Sequence, residues 1–406
     1  MRGNRKSSDE AKTPSEAAEH DPRPVGRAPG SDSFSTGNHP RSHRCIMAQG
    51  RGIGICIMKA LRRGRGGIKP ATRADAVRFL EGAGMGERPR VVITRRLPGV
   101  SLAKIGEKAT VLVPDRDGPM PRKELLRKVR GASGILSTLA DRIDAPLMDT
   151  AGKTLRVVSN FAVGVNNIDV AEATRRRIRV CNTPDVLTEA AADLGFGLLL
   201  AAARRFSEAE RFLRAGKFTG WDPWGFLGVP VFGRTLGIVG MGKIGSAIAA
   251  RARGFEMRVL YHSRTPIPKA REDALRARHV GLDDLLSGSD FIVLCVPLTS
   301  ETRGMIDRGR LRRMKKEAVL VNIGRGEVVD EGALAEALAV GRIFAGGLDV
   351  YEMEPKIHPG LLRAPTAVLL PHLGSATTET RERMGGLATE NLLAVLSGDD
   401  PPCPVN

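Results

Sequence analysis

Within this 406-residue chain, the nine residues Gly237-Ile-Val-Gly-Met-Gly-Lys-Ile-Gly245 restrict the fold most tightly. A short apolar strand, Thr235 to Val239, runs into glycines at 240, 242 and 245. Residues with helical spacing follow, with Ile244, Ala247, Ile248 and Ala252 on one face. In such a Gly-x-Gly-x-x-Gly turn Gly240 permits the tight bend, Gly242 lets the backbone approach a pyrophosphate, and Gly245 lets the helix pack against the strand. The start of that helix offers N–H groups and the positive end of its dipole to an anion. Lys243 and Ile244 stand in the same turn. Gly50-Arg-Gly-Ile-Gly54 and Gly64-Arg-Gly-Gly67 lack a flanking strand and helix and read as low-complexity sequence.

A second strand, Arg258 to Tyr261, follows the glycine turn at the distance a βαβ unit requires, and further βα units extend in both directions. Upstream the pattern gives strands at Arg90 to Thr94, Ile135 to Leu139, Leu155 to Ser159 and Ile178 to Cys181, with a helix over Pro121 to Arg130. A long apolar helix, Thr188 to Arg205 with Thr188 as its N-cap, suits a buried crossover between two domains. Downstream, strands are expected at Phe291 to Val296, Ala318 to Asn322, Ala345 to Asp349 and Ala367 to Leu370, before a last amphipathic helix from Thr377 to Ser397. The length accommodates two such domains. No apolar run reaches the roughly 18 residues of a transmembrane helix, so no membrane partner is expected.

The net charge of +18 is unevenly spread, since residues 1–84 hold 16 Lys/Arg against 8 Asp/Glu and so contribute +8 of it. That segment is rich in Gly, Pro, Ser and Arg and has no sustained hydrophobic period. It reads as a disordered extension or as an over-extended reading frame whose true start is Met85; Asp9, Glu10, Glu16, Glu19 and Asp21 argue against an organellar presequence. The remaining charge shows no aromatic-interleaved basic face, which disfavours nucleic acid as a partner. The five cysteines are odd in number and scattered, without metal-ligand spacing, and fit reduced thiols in a cytoplasmic protein with no metal site.

Three ionisable residues fall just beyond the ends of successive strands: Arg325, Glu354 and His372. Ligands of open α/β sheets bind beyond those carboxyl ends, so the three converge on one crevice. Together they suit hydride transfer to a 2-oxo acid. Arg325 would fork onto the substrate carboxylate and polarise the carbonyl. His372 would exchange a proton with the carbonyl oxygen, while Glu354 would orient the imidazole and favour its protonated form. Singly, each has an ordinary reading: a surface ion pair, a solvated turn residue before Pro355, a Pro-His loop.

The segments Val321-Asn-Ile-Gly-Arg-Gly-Glu-Val-Val-Asp330, Gly347-Leu-Asp-Val-Tyr-Glu-Met-Glu-Pro355 and Leu370-Pro-His-Leu-Gly-Ser-Ala-Thr377 together resemble the three signatures of the D-isomer-specific 2-hydroxyacid dehydrogenases. The likeness runs from Arg90 to Asn406 and includes Ser159-Asn-Phe-Ala-Val-Gly-Val-Asn-Asn-Ile-Asp169. It implies an α/β protein of two Rossmann-like or flavodoxin-like doubly wound parallel-sheet domains. The substrate domain would be discontinuous, 85–187 with 376–406, around a dinucleotide-binding domain at 188–375. It further implies that the backbone of Val163 and Gly164 holds the substrate carboxylate beside Arg325, that Lys243, Ile244, Val296, Thr302, Ile323 and Asp349 touch the cofactor, and that the enzyme is a homodimer. Ile323-Gly324 and Thr138 depart from the common pattern. Trp221-Asp-Pro-Trp224 looks most like the glyoxylate and hydroxypyruvate reductases, although packing between the domains is the simpler role for the two indoles. A dehydrogenase of another D-2-hydroxy acid, or a nicotinamide-sensing corepressor-like binding protein, would carry the same resemblance. A formate dehydrogenase is disfavoured because Glu354 is present.

After the second strand of the nucleotide domain, where an NAD-selective site carries Asp or Glu, the chain reads Tyr261-His-Ser-Arg264. With no acid to repel a 2′-phosphate, and with Ser263 and Arg264 able to bind it, NADP(H) should be preferred and NAD(H) possible. The alternative is that Arg264 points to solvent. The resemblance begins only after Met85, so a chain starting at Met85 is expected to match the full chain in thermal midpoint and kcat/KM, with limited proteolysis trimming the long form to near that residue. Loss of folding or activity on truncation would assign the first 84 residues a structural role.

Overall fold

The computed structural model describes residues 88–114 and 118–406; the extension expected over 1–84, with Cys45 and Cys56, lies outside the described residues. Five parallel strands, β1 (Arg90–Ile93), β2 (Thr110–Leu112), β3 (Gly134–Ser137), β4 (Val157–Asn160) and β5 (Arg179–Cys181), form a first sheet in the order β2-β1-β3-β4-β5. Helices α1 (Leu102–Lys108), α2 (Arg122–Lys128), α3 (Ala145–Ala151) and α4 (Val170–Arg175) connect them. Ser101, Asp144 and Asp169 start α1, α3 and α4 by accepting a backbone N–H through their side chains. The strands are short, apolar and largely buried, as a parallel sheet covered on both faces requires.

Two helices, α5 (Thr188–Ala203) and α6 (Phe206–Arg214), lead into the second sheet. Its seven parallel strands are β6 (Thr235–Val239), β7 (Arg258–His262), β8 (Ala277–His279), β9 (Phe291–Leu294), β10 (Val319–Asn322), β11 (Ala345–Leu348) and β12 (Ala367–Leu369), ordered β12-β11-β10-β9-β6-β7-β8. Between them run α7 (Lys243–Ala252), α8 (Lys269–Leu275), α9 (Leu282–Gly288), α10 (Arg308–Arg313), α11 (Glu331–Ala339) and α12 (Pro359–Arg363). Chain order reverses at β6, which has β9 on one side and β7 on the other; this is the switch point where an open sheet leaves a crevice. Apolar clusters cover both faces of both sheets.

The last helix, α13 (Thr378–Ser397), returns to the first sheet. Ser159 on β4 donates to the Ala388 carbonyl at 2.8 Å, and a Cβ on Gly134 of β3 would stand 2.8 Å from Leu392, so helix and sheet pack without clearance.

Several expectations need correction. Strands β2 and β8 have three residues each, and both escape the sequence reading; unlike β5 and β12, equally short, they bury at most one residue and so carry no buried apolar run. Thr188 is not an N-cap: Leu187 occupies that position and no side chain caps the helix, the Thr188 N–H bonding instead to the Asp185 carbonyl at 3.1 Å. Helix α5 lies on β9 to β12 of the second sheet. Trp221 and Trp224 do not pack between domains, being 85% and 80% exposed. They flank a local turn in which Asp222 accepts the Trp224 N–H at 2.9 Å, which keeps both indoles outward. No helix among the described residues is long and apolar enough to cross a membrane. Cys181, Cys295 and Cys403 are unbonded, and burial pushes the first two thiols up to about 12.

Leu392 is fully buried where the last helix meets the first sheet. Leu392→Ala should cost about 2–5 kcal/mol in reversible urea unfolding, whereas Leu362→Ala, at an exposed position, should stay within about 0.5 kcal/mol. Equal losses would mean that the helix is not held by this contact.

Candidate active site

Strands β10, β11 and β12 are neighbours in register, so the loops leaving their carboxyl ends share one edge of the sheet. Those loops carry Arg325, Glu354 and His372. The His372 Nδ1 lies 2.9 Å from Glu354 Oε2 and 3.1 Å from Oε1, and Oε1 also accepts the Tyr351 N–H at 3.1 Å. Both side chains are partly exposed. Burial works to raise the Glu354 pKa. The His372 hydrogen bond and charge, the Tyr351 N–H and the nearby Arg325 outweigh it and hold the carboxyl below its ordinary value.

His372 adopts a left-handed backbone, φ +55°, which is uncommon for a residue with a side chain. Asp349 holds it there. The Asp349 carbonyl accepts the His372 N–H at 3.0 Å, and its carboxylate accepts Leu373 N–H at 2.6 Å and Gly374 N–H at 2.9 Å. Burial raises the pKa of this carboxyl despite those donors and the nearby His372.

The Arg325 guanidinium is fixed on two sides, Nη1 donating to the Gly324 carbonyl at 2.7 Å and Nε to Asn166 Oδ1 at 3.1 Å. A Cβ on Gly164 would stand 1.6 Å from its Nη2, so the arginine lies directly against the Val163-Gly164 segment and would have to shift to admit any larger residue. Burial lowers its pKa, opposed by the charges of Glu354 and Glu327, from a value far too high to leave it neutral. The Val163 and Gly164 carbonyls are engaged by Asn182 at 2.8 Å and Asn160 at 2.9 Å, while their N–H groups find no acceptor among the described residues. Asn166, whose side-chain amide reaches the Leu298 carbonyl at 3.3 Å, ties this segment to the second sheet. Asn160 and Asn166 stand in the Ser159–Asp169 stretch noted in the sequence and Asn182 just after a strand, yet nothing in their spacing tells a loop-bracing asparagine from a solvated one.

The glycine turn sits at the switch point. Gly240 has φ +98°, and a Cβ on Gly245 would be 2.1 Å from the Gly240 carbonyl. Nothing lies within 4 Å of where a Gly242 Cβ would stand, so the turn faces open space in front of α7, whose first N–H groups have no i−4 acceptors. A dinucleotide pyrophosphate fits these features. The Lys243 amine pairs with Asp185. Val296 touches the Gly240 position, Ile323 touches Gly195, and Thr302 spends its hydroxyl on the Pro297 carbonyl at 2.7 Å. Beyond β7, Ser263 donates to the Thr265 carbonyl at 2.7 Å. Arg264 is exposed, makes no hydrogen bond among the described residues and lies near Glu301. No group of three His, Cys, Asp or Glu among the described residues is arranged to hold a metal.

Residues 196–374 match the model of the D-isomer-specific 2-hydroxyacid dehydrogenase NAD-binding domain. The glyoxylate reductase of Thermococcus kodakarensis is 51% identical over 323 residues, 79% of this chain and 96% of that one, and the glyoxylate reductase of Pyrococcus horikoshii is 47% identical over the same shares. Among solved structures, a protein from Thermus thermophilus superposes with a TM-score of 0.73 at 47% identity, covering 78% of this chain and all of that one. An NADPH-dependent glyoxylate/hydroxypyruvate reductase from Sinorhizobium meliloti, in complex with NADP and malonate, superposes with a TM-score of 0.69 at 35% identity, covering 79% and 97%. With a hydrogen-bonded His–Glu pair, an arginine held against open backbone N–H groups and a nucleotide turn on one sheet edge, the chain belongs to the D-isomer-specific 2-hydroxyacid dehydrogenase family.

Proposed function

We propose that the protein reduces glyoxylate or hydroxypyruvate to the corresponding 2-hydroxy acid with NAD(P)H. The observation that carries this reading is the His372–Glu354 pair facing Arg325 and the unpaired N–H groups of Val163 and Gly164. The N–H groups and the Arg325 Nη2 hold the substrate carboxylate, which places the neighbouring carbonyl toward His372. Because Glu354 occupies Nδ1, Nε2 is the nitrogen that hands a proton to the carbonyl oxygen, and the Glu354 carboxylate stabilises the imidazolium beforehand. Bound reduced nicotinamide supplies the hydride to the carbonyl carbon. Oxidation runs the same transfers backwards, with His372 accepting the proton.

Gly240, Gly242, Lys243, Ile244 and Gly245 are assigned to the pyrophosphate, and Val296, Thr302, Ile323 and Asp349 to the rest of the cofactor. NADPH is the preferred form: Arg264 is exposed and without a hydrogen bond among the described residues, Ser263 adjoins it, and no acid occupies the strand end. Residues 85–187 with 376–406 make the substrate domain and 188–375 the nucleotide domain. A second copy of the chain covers the apolar stretch Phe206, Leu213, Phe218, Trp221, Trp224 and Phe232, all more than half exposed, giving a homodimer. The unbonded thiols fit the cytoplasm.

His372→Ala should lower kcat by about 10² to 10⁴-fold while leaving NADPH binding nearly intact, and Arg325→Lys should raise the KM for glyoxylate sharply. Glu354→Gln removes the negative partner at Nδ1, so the alkaline limb of the reduction profile should move to lower pH. The acid side should be little affected by Glu354 itself, whose carboxyl stays ionised below the usual carboxylate range. Wild-type kcat/KM in the first two variants, or an unmoved alkaline limb in the third, would remove these roles.

Ser263→Asp places a carboxylate where a 2′-phosphate would sit and offers NADH a partner for its ribose hydroxyls, so the NADPH/NADH ratio of kcat/KM should fall. A constant ratio would move recognition elsewhere.

A further inference from the structure

Glu331 opens helix α11 and is only 4% exposed, yet no cation pairs with it among the described residues. The helix does not need it as a cap, because Asp330 already accepts the Ala333 N–H at 2.8 Å. Burying a carboxylate without a counter-ion is costly unless strong donors replace its water. Its donors come from one place: Oε1 accepts the Glu352 N–H at 2.6 Å and Oε2 the His358 N–H at 3.3 Å. Those two residues bracket Glu354. Between them the chain closes a tight turn in which the Lys356 N–H bonds the Met353 carbonyl at 2.8 Å. The other side of the loop is wedged against the Arg325 loop, since a Cβ on Gly326 would stand 1.8 Å from the Tyr351 backbone.

We infer that Glu331 is a positioning residue that fixes Glu354 against His372 by clamping the backbone on both sides of the turn that carries it. The carboxylate touches no substrate or cofactor. It acts through the loop, as a brace with two acceptors aimed at two N–H groups six residues apart. Glu331 acts on Glu352 and Tyr351 and takes the His358 N–H, Asp330 and Glu327 also act on Glu352, and the groups facing the Glu354–His372 pair are Arg325 and Asp349. None is a cation able to replace the clamp, Arg325 being engaged with Gly324 and Asn166.

This inference rests on Glu354 and His372 working as a pair, so the test compares Glu331→Ala and Glu331→Gln with Glu354→Gln in the full-length protein, measuring pH profiles of glyoxylate reduction with NADPH. Freed of the clamp, Glu354 spends less time on His372. In Glu331→Ala the alkaline limb should move to lower pH, in the direction of Glu354→Gln, with kcat down about tenfold or more and KM for NADPH within about twofold of wild type. Glutamine keeps one acceptor and turns a donor toward the second N–H, so Glu331→Gln should move the limb the same way by a smaller amount. If Glu331→Ala does not fold, the glutamine variant decides alone, and a wild-type limb in it overturns the inference. A moved limb in Glu354→Gln with an unmoved one in Glu331→Ala reduces Glu331 to a structural residue. Should neither move, the role of Glu354 falls and the inference with it; a limb that moves in Glu331→Ala but not in Glu354→Gln also overturns it, because Glu331 would then act by another route.

Discussion

The working end of the molecule depends on one carboxylate that performs no chemistry. Asp349 holds His372 in a left-handed backbone conformation, which for a non-glycine residue costs on the order of 1–3 kcal/mol, through its own carbonyl and both carboxylate oxygens. Those bonds set the direction in which the His372 side chain leaves the loop. With the backbone fixed, the imidazole has only its own torsions left to settle, and Glu354 settles them through Nδ1. The strain is thus borne where a buried acceptor offsets it, and Nε2 is left clear of Glu354.

Arg325 is prepared by the same economy of groups. Its Nε and Nη1 are occupied by Asn166 and by the Gly324 carbonyl, which leaves Nη2 turned to Gly164. The opposing segment is turned to match, because Asn160 and Asn182 take up its carbonyls and so present N–H groups to the same space. An anion entering there meets a guanidinium and backbone donors already aligned. Little reorganisation is needed at the moment of reaction, which is the condition under which fixed dipoles count most in catalysis.

How far all this could be read from sequence depends on the range over which each feature is encoded. The glycine turn, the apolar strands of the second sheet and the terminal helix rest on local patterns, and Gly240, Gly242 and Gly245 lie where the spacing puts them. Arg325, Glu354 and His372 were legible because strand ends can be counted and neighbouring parallel strands bring their ends together. Short strands that are little buried, such as β2 and β8, carry no buried apolar run. The bracing groups were illegible for a different reason: Asn160, Asn166, Asn182 and Glu331 act on backbone atoms of loops distant in the chain, and any loop has N–H and C=O groups to offer. Trp221 and Trp224 lie exposed on either side of a local Asp-Pro turn, a case in which an aromatic pair in the sequence does not mark burial.

The braces also explain where the protein places its costs. Asp349 and Glu331 are nearly inaccessible carboxylates satisfied chiefly by backbone donors, an arrangement less stabilising than an apolar side chain of equal volume packed in the same space. It is tolerable because stability is supplied elsewhere: four apolar clusters line the faces of the two sheets. The division follows the strands themselves. Their interiors are aliphatic and set the core, while the residues just past their carboxyl ends are free of packing duty and can be charged. A charge at such a position needs a partner that does not neutralise it, and a backbone N–H is a donor that cannot itself take up or release a proton in the working pH range. That is why buried carboxylates on loops and helix starts, and not further lysines or arginines, hold the Glu354–His372 pair in place.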